Sequence, residues 1–219
     1  MPFTPDGQRA HLIFLIDIEV CRRIDTATWT IDPINNLVWS TPCPEGIPSK
    51  VEANGTQMVD EGSRAGVQAN DNSFCYIAGT PNLLYVHVLG DGEPIDEDPY
   101  LGVFHWRRYG TEVVEYSGHS YRPVLDSSSI PNVSSEIGGY HEGGTSFSFG
   151  SIKLLNGDGH FDALLDLYIW EAKRIVVRVG EKDKGDANYE IIFDGWTGNV
   201  GWGDEVVEIN TEDARTMVS

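Results

Sequence analysis

Glycine and proline recur along this chain as turn residues between short apolar runs. The 24 glycines and 11 prolines of its 219 residues separate segments rich in Val, Ile, Tyr, Phe and Trp, a pattern typical of β-strands joined by turns. The dipeptide Asn54-Gly55, between Val51 and Met58, favours a tight hairpin because both residues accept the positive φ of a type I′ turn. The sequence therefore predicts an all-β fold built from antiparallel strands.

The first strand is predicted over His11 to Val20. Its even-numbered residues from 12 to 20 are all apolar, whereas the opposite face changes from Ile13 and Leu15 to Asp17 and Glu19. Since alternate side chains of a strand point to opposite faces, we expect this strand to be buried on both faces at its start and solvated at its end.

The remaining elements are predicted from the same alternation and from turn residues. One helix of about two turns is expected where Phe161, Leu164, Leu165 and Tyr168 recur at helical spacing, with Asp158 as its N-terminal cap. Further strands are predicted at Thr28 to Ile31, Leu37 to Ser40, Ser49 to Ala53, Ser73 to Ala78, Leu83 to Leu89, Val103 to Arg108, Thr111 to Tyr116, Thr145 to Leu155, Arg174 to Val179, Tyr189 to Phe193, Gly198 to Trp202 and Glu205 to Ile209.

The charge balance excludes several classes of partner. Lys and Arg number 15 against 34 Asp and Glu, which gives a formal net charge of −19. Such a chain repels nucleic acid phosphates and anionic lipids, so we expect no direct nucleic-acid binding.

No apolar run is long enough to span a bilayer, so no membrane insertion is expected. No secretory signal is recognised, and the mature chain is expected to start near Met1 or Pro2.

Catalytic signatures are missing from the sequence. Cys21, Cys43 and Cys75 have neither a zinc-ribbon spacing nor that of a paired disulfide framework, so they are interpreted as buried free thiols of a protein made in the cytosol. The six histidines show no zinc-binding spacing. The chain lacks a nucleophile elbow, a phosphate loop and a dinucleotide fingerprint. We therefore expect neither an enzyme nor a resident cofactor.

One loop is a candidate for calcium binding. Asn156, Asp158 and Asp162 place oxygen atoms at alternate positions, as calcium loops do. The glycines and the twelfth position do not fit an EF-hand, so a plain turn followed by a helix cap is the alternative.

Four tryptophans are candidates for an interface or a ligand site. Trp106, Trp170, Trp196 and Trp202 could stack on sugar rings or anchor a partner surface. The alternative, favoured by burial statistics, is that they fill the β core. On one continuous strand Trp196 and Trp202 would share a face.

Several segments of the second half, in their order along the chain, carry a resemblance to a known family. They are Phe149-Gly150-Ser151-Ile152, Leu155-Asn156-Gly157-Asp158-Gly159-His160-Phe161-Asp162, Val176-Val177-Arg178-Val179-Gly180, Phe193-Asp194-Gly195 and Asp213. Together they resemble a domain of tailed-bacteriophage tail-tip and baseplate proteins. Tyr121-Arg122-Pro123-Val124-Leu125 is similar to the lead-in of that domain, and the strand at 12–20 to its first strand.

A looser resemblance covers the first half. Val38-Trp39, Pro48-Ser49-Lys50-Val51, Ser73 to Ile77 and Leu84-Tyr85-Val86-His87 resemble a small hairpin module carried by some phage structural proteins.

Together the resemblances imply an antiparallel sandwich or barrel-like body at 1–30 and 100–219, with one short helix. A small β-hairpin module is inserted at 31–99 and includes an acidic connector at 93–99. Two sequential domains divided near Pro94 to Pro99 are the alternative. Pairing of strand 12–20 with residues 170–210 would favour the insertion.

The resemblance implies a function in assembly. It points to a virion structural protein of a phage tail tip or baseplate, present in many copies, assembled in the bacterial host cytoplasm and bound to copies of itself and to other tail proteins. Segment 123–145 is expected to reach neighbouring subunits and to become ordered on assembly. A carbohydrate- or receptor-binding β module with a host surface glycan as ligand is the alternative, followed by a glycan hydrolase.

Overall fold

A computed structural model describes residues 11–23, 29–53, 55–88, 101–130, 134–137, 145–148, 150–182 and 184–213. Strands dominate these residues, which confirms the all-β fold. The described strands are β1 (Leu12–Arg23), β2 (Thr30–Ile31), β3 (Trp39–Pro42), β4 (Lys50–Ala53), β5 (Thr56–Gln57), β6 (Val59–Asp60), β7 (Ser73–Ile77), β8 (Leu83–His87), β9 (Gly102–Gly110), β10 (Val114–Tyr116), β11 (His119–Tyr121), β12 (Ser134–Ile137), β13 (Thr145–Ser148), β14 (Ser151–Leu155), β15 (Tyr168–Ile169), β16 (Arg174–Glu181), β17 (Glu190–Trp202) and β18 (Val206–Asp213); the helices are α1 (Arg64–Ala69) and α2 (Asp162–Leu165).

The chain divides into two compact units. The first contains Met1–Glu19, Trp106–Asp166 and Trp170–Ser219, and the second contains Val20–His105 and Leu167–Ile169. The predicted limits of an inserted module at 31 and 99 stay a prediction, because the compactness of a unit does not establish where an insertion begins.

The first unit is built on an antiparallel sheet. Its strands lie in the order β14-β18-β17-β16-β1-β9. β1 pairs with β16 from Leu12 opposite Glu181 to Ile18 opposite Ile175. The expected pairing of strand 12–20 with the second half of the chain is therefore confirmed.

The two faces of β1 explain its long apolar pattern. Ile16 and Ile18 are fully buried on one face. On the other face Ile13 and Leu15 pack against Tyr121 of β11. Asp17, which follows on that face, is only 8% exposed, so the prediction of a solvated end is wrong. Arginine side chains from neighbouring strands form ion pairs with this carboxylate, and these contacts offset the free-energy cost of burying its charge.

The second unit contains a five-stranded sheet in the order β2-β3-β8-β7-β6. Outside this sheet, β4 and β5 of the same unit form the hairpin predicted at residues 54–55. Glu52 lies opposite Gln57, and Gly55 has a φ of +72°. A buried cluster that includes Trp39, Met58 and Val103 forms the main core of this unit.

The structure corrects the predicted strands in two places. The two strands expected at 189–193 and 198–202 form one strand, β17, which keeps its pairing to β18 across a bulge between Thr197 and Val200. The strand expected at 145–155 divides into β13 and β14 around Gly150, whose φ is +79°.

The prediction of one helix of about two turns was wrong both in the length of that helix and in the number of helices. α2 has only four residues, and Asp158 does not cap it. The Asp158 carboxylate instead accepts a hydrogen bond from the His160 backbone N–H at 3.1 Å, which closes a local turn. A second short helix, α1, begins after Ser63, whose side chain accepts a hydrogen bond from the Gly66 N–H.

Several predicted features lie outside the described residues. They are the acidic connector at 93–99, Asn54, Phe149, and residues 131–133 and 138–144 of segment 123–145. Within the described part of the chain, no helix has the length and apolar character needed to cross a membrane.

Candidate functional site

A cavity of about 300 Å³ opens on the first unit. Trp106 and Arg108 of β9, Asp17 of β1 and three residues of β16 supply its sheet side, and the β10–β11 hairpin supplies the rest. The lining residues are Asp17, Trp106, Arg108, Tyr116, Ser117, His119, Tyr121, Arg174, Val176 and Arg178. The cavity thus combines three guanidinium groups with aromatic rings in a strongly acidic chain.

Asp17 is the organising residue of the cavity. Its Oδ1 accepts a hydrogen bond from the Tyr121 phenol at 2.7 Å and lies 3.5 Å from Arg108 Nε. Its Oδ2 accepts a hydrogen bond from Arg178 Nη1. Burial and the bond to Asp17 raise the pKa of Tyr121, so the phenol stays protonated and keeps donating across the physiological pH range.

The three arginines differ in how fully they are neutralised. Arg174 donates two hydrogen bonds to Asp194, at 3.0 and 2.7 Å, and this contact lowers the pKa of the Asp194 carboxyl. Arg108 and Arg178 share the single carboxylate of Asp17. A guanidinium carries five N–H donors, so these two side chains retain capacity to bind an anion or a polar ligand.

Aromatic groups complete the lining. The Arg178 guanidinium lies 5.7 Å from the centroid of the Tyr116 ring, within the range of a cation–π contact. Trp106 is half-buried at the cavity wall. Rings beside guanidinium donors suit a ligand with both a flat face and a negative group.

The other predicted tryptophans have different surroundings. Trp170 is 2% exposed and packs edge-on against Trp202, with ring centroids 5.6 Å apart, and against Phe161. Trp196 is half-buried on β17 opposite Glu212. The structure therefore places Trp106 at the cavity, and Trp170 in the core.

The oxygens of the candidate calcium loop accept hydrogen bonds or form an ion pair within the chain. Asn156 Oδ1 accepts from the Phe161 N–H at 2.9 Å, and its Nδ2 donates to Asp162 Oδ1 at 2.7 Å. Asp158 forms an ion pair with Arg122, and the His160 N–H lowers the pKa of the Asp158 carboxyl. These are the contacts of a hydrogen-bonded turn, and calcium binding by this loop stays a prediction.

A separate group of side chains in the second unit has metal-binding chemistry. Among the described residues, the ligand atoms of Cys43, Glu45 and His105 all lie within 4.8 Å of one another. All three cysteines are buried and form no disulfide, as the sequence predicted. Burial, followed by the nearby Glu45 charge, raises the pKa of the Cys43 thiol to about 11.

Sequence reasoning missed both groupings because each combines residues from distant segments of the chain. Arg108, Arg174 and Arg178 carry no motif. The one available signal was the interruption of an apolar strand by Asp17, since a carboxylate on a buried strand requires cationic or hydrogen-bonding partners.

Comparison with known proteins found no matching family model, no matching curated protein and no matching solved structure.

Proposed function

We propose that this chain is a virion structural protein of a phage tail tip or baseplate, where it acts as a multi-copy assembly component. It binds copies of itself and other tail proteins, resides in the tail of the virion and performs no catalysis. The proposal extends the resemblance of the second half to tail-tip and baseplate proteins.

The supporting observation is the placement of the resembling segments in one sheet. Residues 176–180 lie on β16, residues 193–195 on β17 and residues 151–155 on β14. Gly195 lies directly opposite Asp213 across the β17–β18 ladder. Segments scattered over more than sixty residues thus lie in one sheet, as the resemblance to a single domain implies.

The surface of the first unit offers apolar contacts for assembly. Val113 and Ile191 are 72% and 57% exposed. Interfaces between identical subunits are richer in apolar area than the rest of a protein surface. Repeated copies in a closed ring would bury the same patches in every subunit.

Two measurements on the full chain test this proposal. Sedimentation velocity over a wide concentration range should show a closed oligomer of defined size, and mass spectrometry of tails purified from virions of the same genome should find the chain. A protein that stays monomeric at every concentration and is absent from purified tails would contradict the proposal.

The cavity favours a second candidate, a carbohydrate- or receptor-binding module of the tail tip. Trp106 lines the same cavity as Arg108 and Arg178. A ring beside guanidinium donors can stack on a sugar face and bind a carboxylate, so the ligand class is an acidic sugar of a host surface glycan. Binding of acidic but not neutral glycans to the intact protein tests this candidate.

A further inference from the structure

Three potential metal ligands of different chemistry converge in the second unit. Cys43 follows β3, Glu45 lies in the next turn, and His105 belongs to β9. Cys43 and His105 are 1% and 5% exposed, and one ligand atom from each of the three side chains lies within 4.8 Å of the other two. A sulfur, a nitrogen and an oxygen donor therefore lie close together in this unit.

The turn that carries Cys43 and Glu45 is fixed by its backbone. The Cys43 N–H donates to the Asn82 carbonyl at 3.0 Å, and the Gly46 N–H donates back to the Cys43 carbonyl at 3.4 Å. Gly46 has a φ of +94°, a conformation that glycine adopts without strain. The positions of the two ligands are thus set by the fold before any ion binds.

Glu45 is oriented by two further side chains. Arg22 Nη1 donates to both carboxylate oxygens, at 2.6 and 2.7 Å, and the Tyr168 phenol donates to Oε1 at 3.1 Å. Carboxylates that bind metals are usually held by such outer hydrogen bonds. Each oxygen has more than one lone pair, so these contacts leave acceptor capacity toward Cys43 and His105.

The donor set decides which ion fits. Thiolate and imidazole ligands together suit Zn²⁺, whereas Ca²⁺ and Mg²⁺ prefer oxygen alone. Three protein ligands leave a fourth tetrahedral position for water. A Cys43 thiolate and the Glu45 carboxylate would each contribute a negative charge. These charges would offset the positive charge of the ion, which would be bound close to the Arg22 guanidinium.

We propose that Cys43, Glu45 and His105 form a zinc-binding site in which Arg22 and Tyr168 orient the carboxylate. The site joins the turn after β3 to β9. It is independent of the assembly role, and it concerns residues that no sequence motif had connected.

Zinc titration of the metal-stripped full chain tests the site. One zinc ion per chain should bind and raise the melting temperature, and Co²⁺ in its place should give a thiolate-to-cobalt charge-transfer band. Cys43→Ser and His105→Ala should each weaken zinc binding by at least tenfold, since loss of even an outer hydrogen-bonding partner of a metal ligand typically costs about 10–100-fold. Cys75→Ser is the matched control, because Cys75 is a free thiol buried to the same degree in the same unit, and it should bind zinc like the wild type.

X-ray absorption on the zinc-loaded wild type supplies a readout that needs no variant to fold. One sulfur at about 2.3 Å and nitrogen or oxygen ligands at about 2.0–2.2 Å are expected. The proposal is overturned if the wild type binds no zinc, if Cys43→Ser keeps full affinity, or if the spectrum shows no sulfur or more than one.

Discussion

The Tyr121 phenol donates a hydrogen bond to Asp17 Oδ1 at 2.7 Å and thereby joins β11 to β1. Asp17 occupies a strand position where its neighbours on the same face, Ile13 and Leu15, are apolar and buried. Tyr121 is also 2% exposed and belongs to the core cluster of those two residues. One side chain therefore fills the apolar end of this face with its ring and satisfies the charged end with its hydroxyl.

Removal of that hydroxyl should destabilise the protein measurably. Tyr121→Phe keeps the ring but deprives the buried Asp17 of one hydrogen-bond donor. We therefore expect the free energy of unfolding to fall by about 1–2 kcal/mol. The loss stays smaller than the cost of an unpaired buried carboxylate because Arg108 and Arg178 still contact Asp17. Urea unfolding measures the change. Tyr116→Phe, at a half-buried tyrosine of the same cavity, should change stability by less than about 0.5 kcal/mol. Equal losses in the two variants would contradict this role for Asp17.

Gly195 should tolerate no side chain. A Cβ there would lie 2.5 Å from both the Glu212 carbonyl oxygen and Phe193 Cζ, so Gly195→Ala forces a shift of the β17–β18 pairing and should cost about 1–3 kcal/mol. Gly201→Ala on the same strand is the control, since its Cβ would meet nothing closer than 3.8 Å. Thermal unfolding of both variants compares them, and a Gly195→Ala protein as stable as Gly201→Ala would contradict the packing.

The Asp32 carboxylate should make stability depend on pH below about 4. A hydrogen bond from Arg64 is the main cause that lowers the pKa of Asp32 from 3.8 to about 2. Because the folded pKa is the lower one, its stabilisation is complete above the unfolded pKa and is lost as pH falls toward the folded pKa.

Asp32→Asn isolates this contribution. The variant should be less stable than the wild type by about 2 kcal/mol at pH 7, and the difference should shrink between pH 4 and pH 2. Chemical unfolding at a series of pH values measures it. A difference that stays constant over that interval would show that the Arg64 contact does not set the titration.

The second candidate function predicts that two tryptophans behave differently. Trp106→Ala should abolish binding of acidic glycans on an array because Trp106 lines the cavity, whereas Trp202→Phe should leave binding intact because Trp202 packs against Trp170. Arg178→Gln should weaken acidic ligands more than neutral ones. A ligand site at this cavity would be contradicted if Trp202→Phe lost glycan binding while Trp106→Ala kept it.

Local patterns in the sequence were sufficient for much of the fold. Alternation of apolar residues located β1, and the turn chemistry around Gly55 located the β4–β5 hairpin. Both signals are local, since a strand face and a tight turn are determined by residues a few positions apart.

The wrong boundaries arose where pairing overrode local signals. A turn was expected at residues 194–197, between the strands predicted at 189–193 and 198–202, yet β17 continues through these residues because Gly195 to Thr197 pair with β18 and the ladder resumes beyond a bulge. Helix α1 was missed because only Val67 among its residues is buried, which leaves no helical stripe to detect. Its start depends instead on the Ser63 cap.

The candidate sites could not be predicted because they are made by tertiary structure. Arg108 and Arg178 meet at Asp17 only after β9, β1 and β16 lie side by side. Likewise, Cys43 and His105 belong to distant parts of the chain and have no shared spacing. The one signal in the sequence was Asp17, a carboxylate within an apolar strand. Sequence reasoning placed it in solvent, whereas a buried position would have implied charged or hydrogen-bonding partners around it.

A cryo-electron microscopy reconstruction of the virion encoded by the same genome tests the central claim most directly. We predict density for this chain in the tail tip or baseplate, in several copies related by rotation about the tail axis, with Val113 or Ile191 covered by a neighbouring subunit. A fully assigned tail reconstruction that contains no copy of this chain would contradict the account.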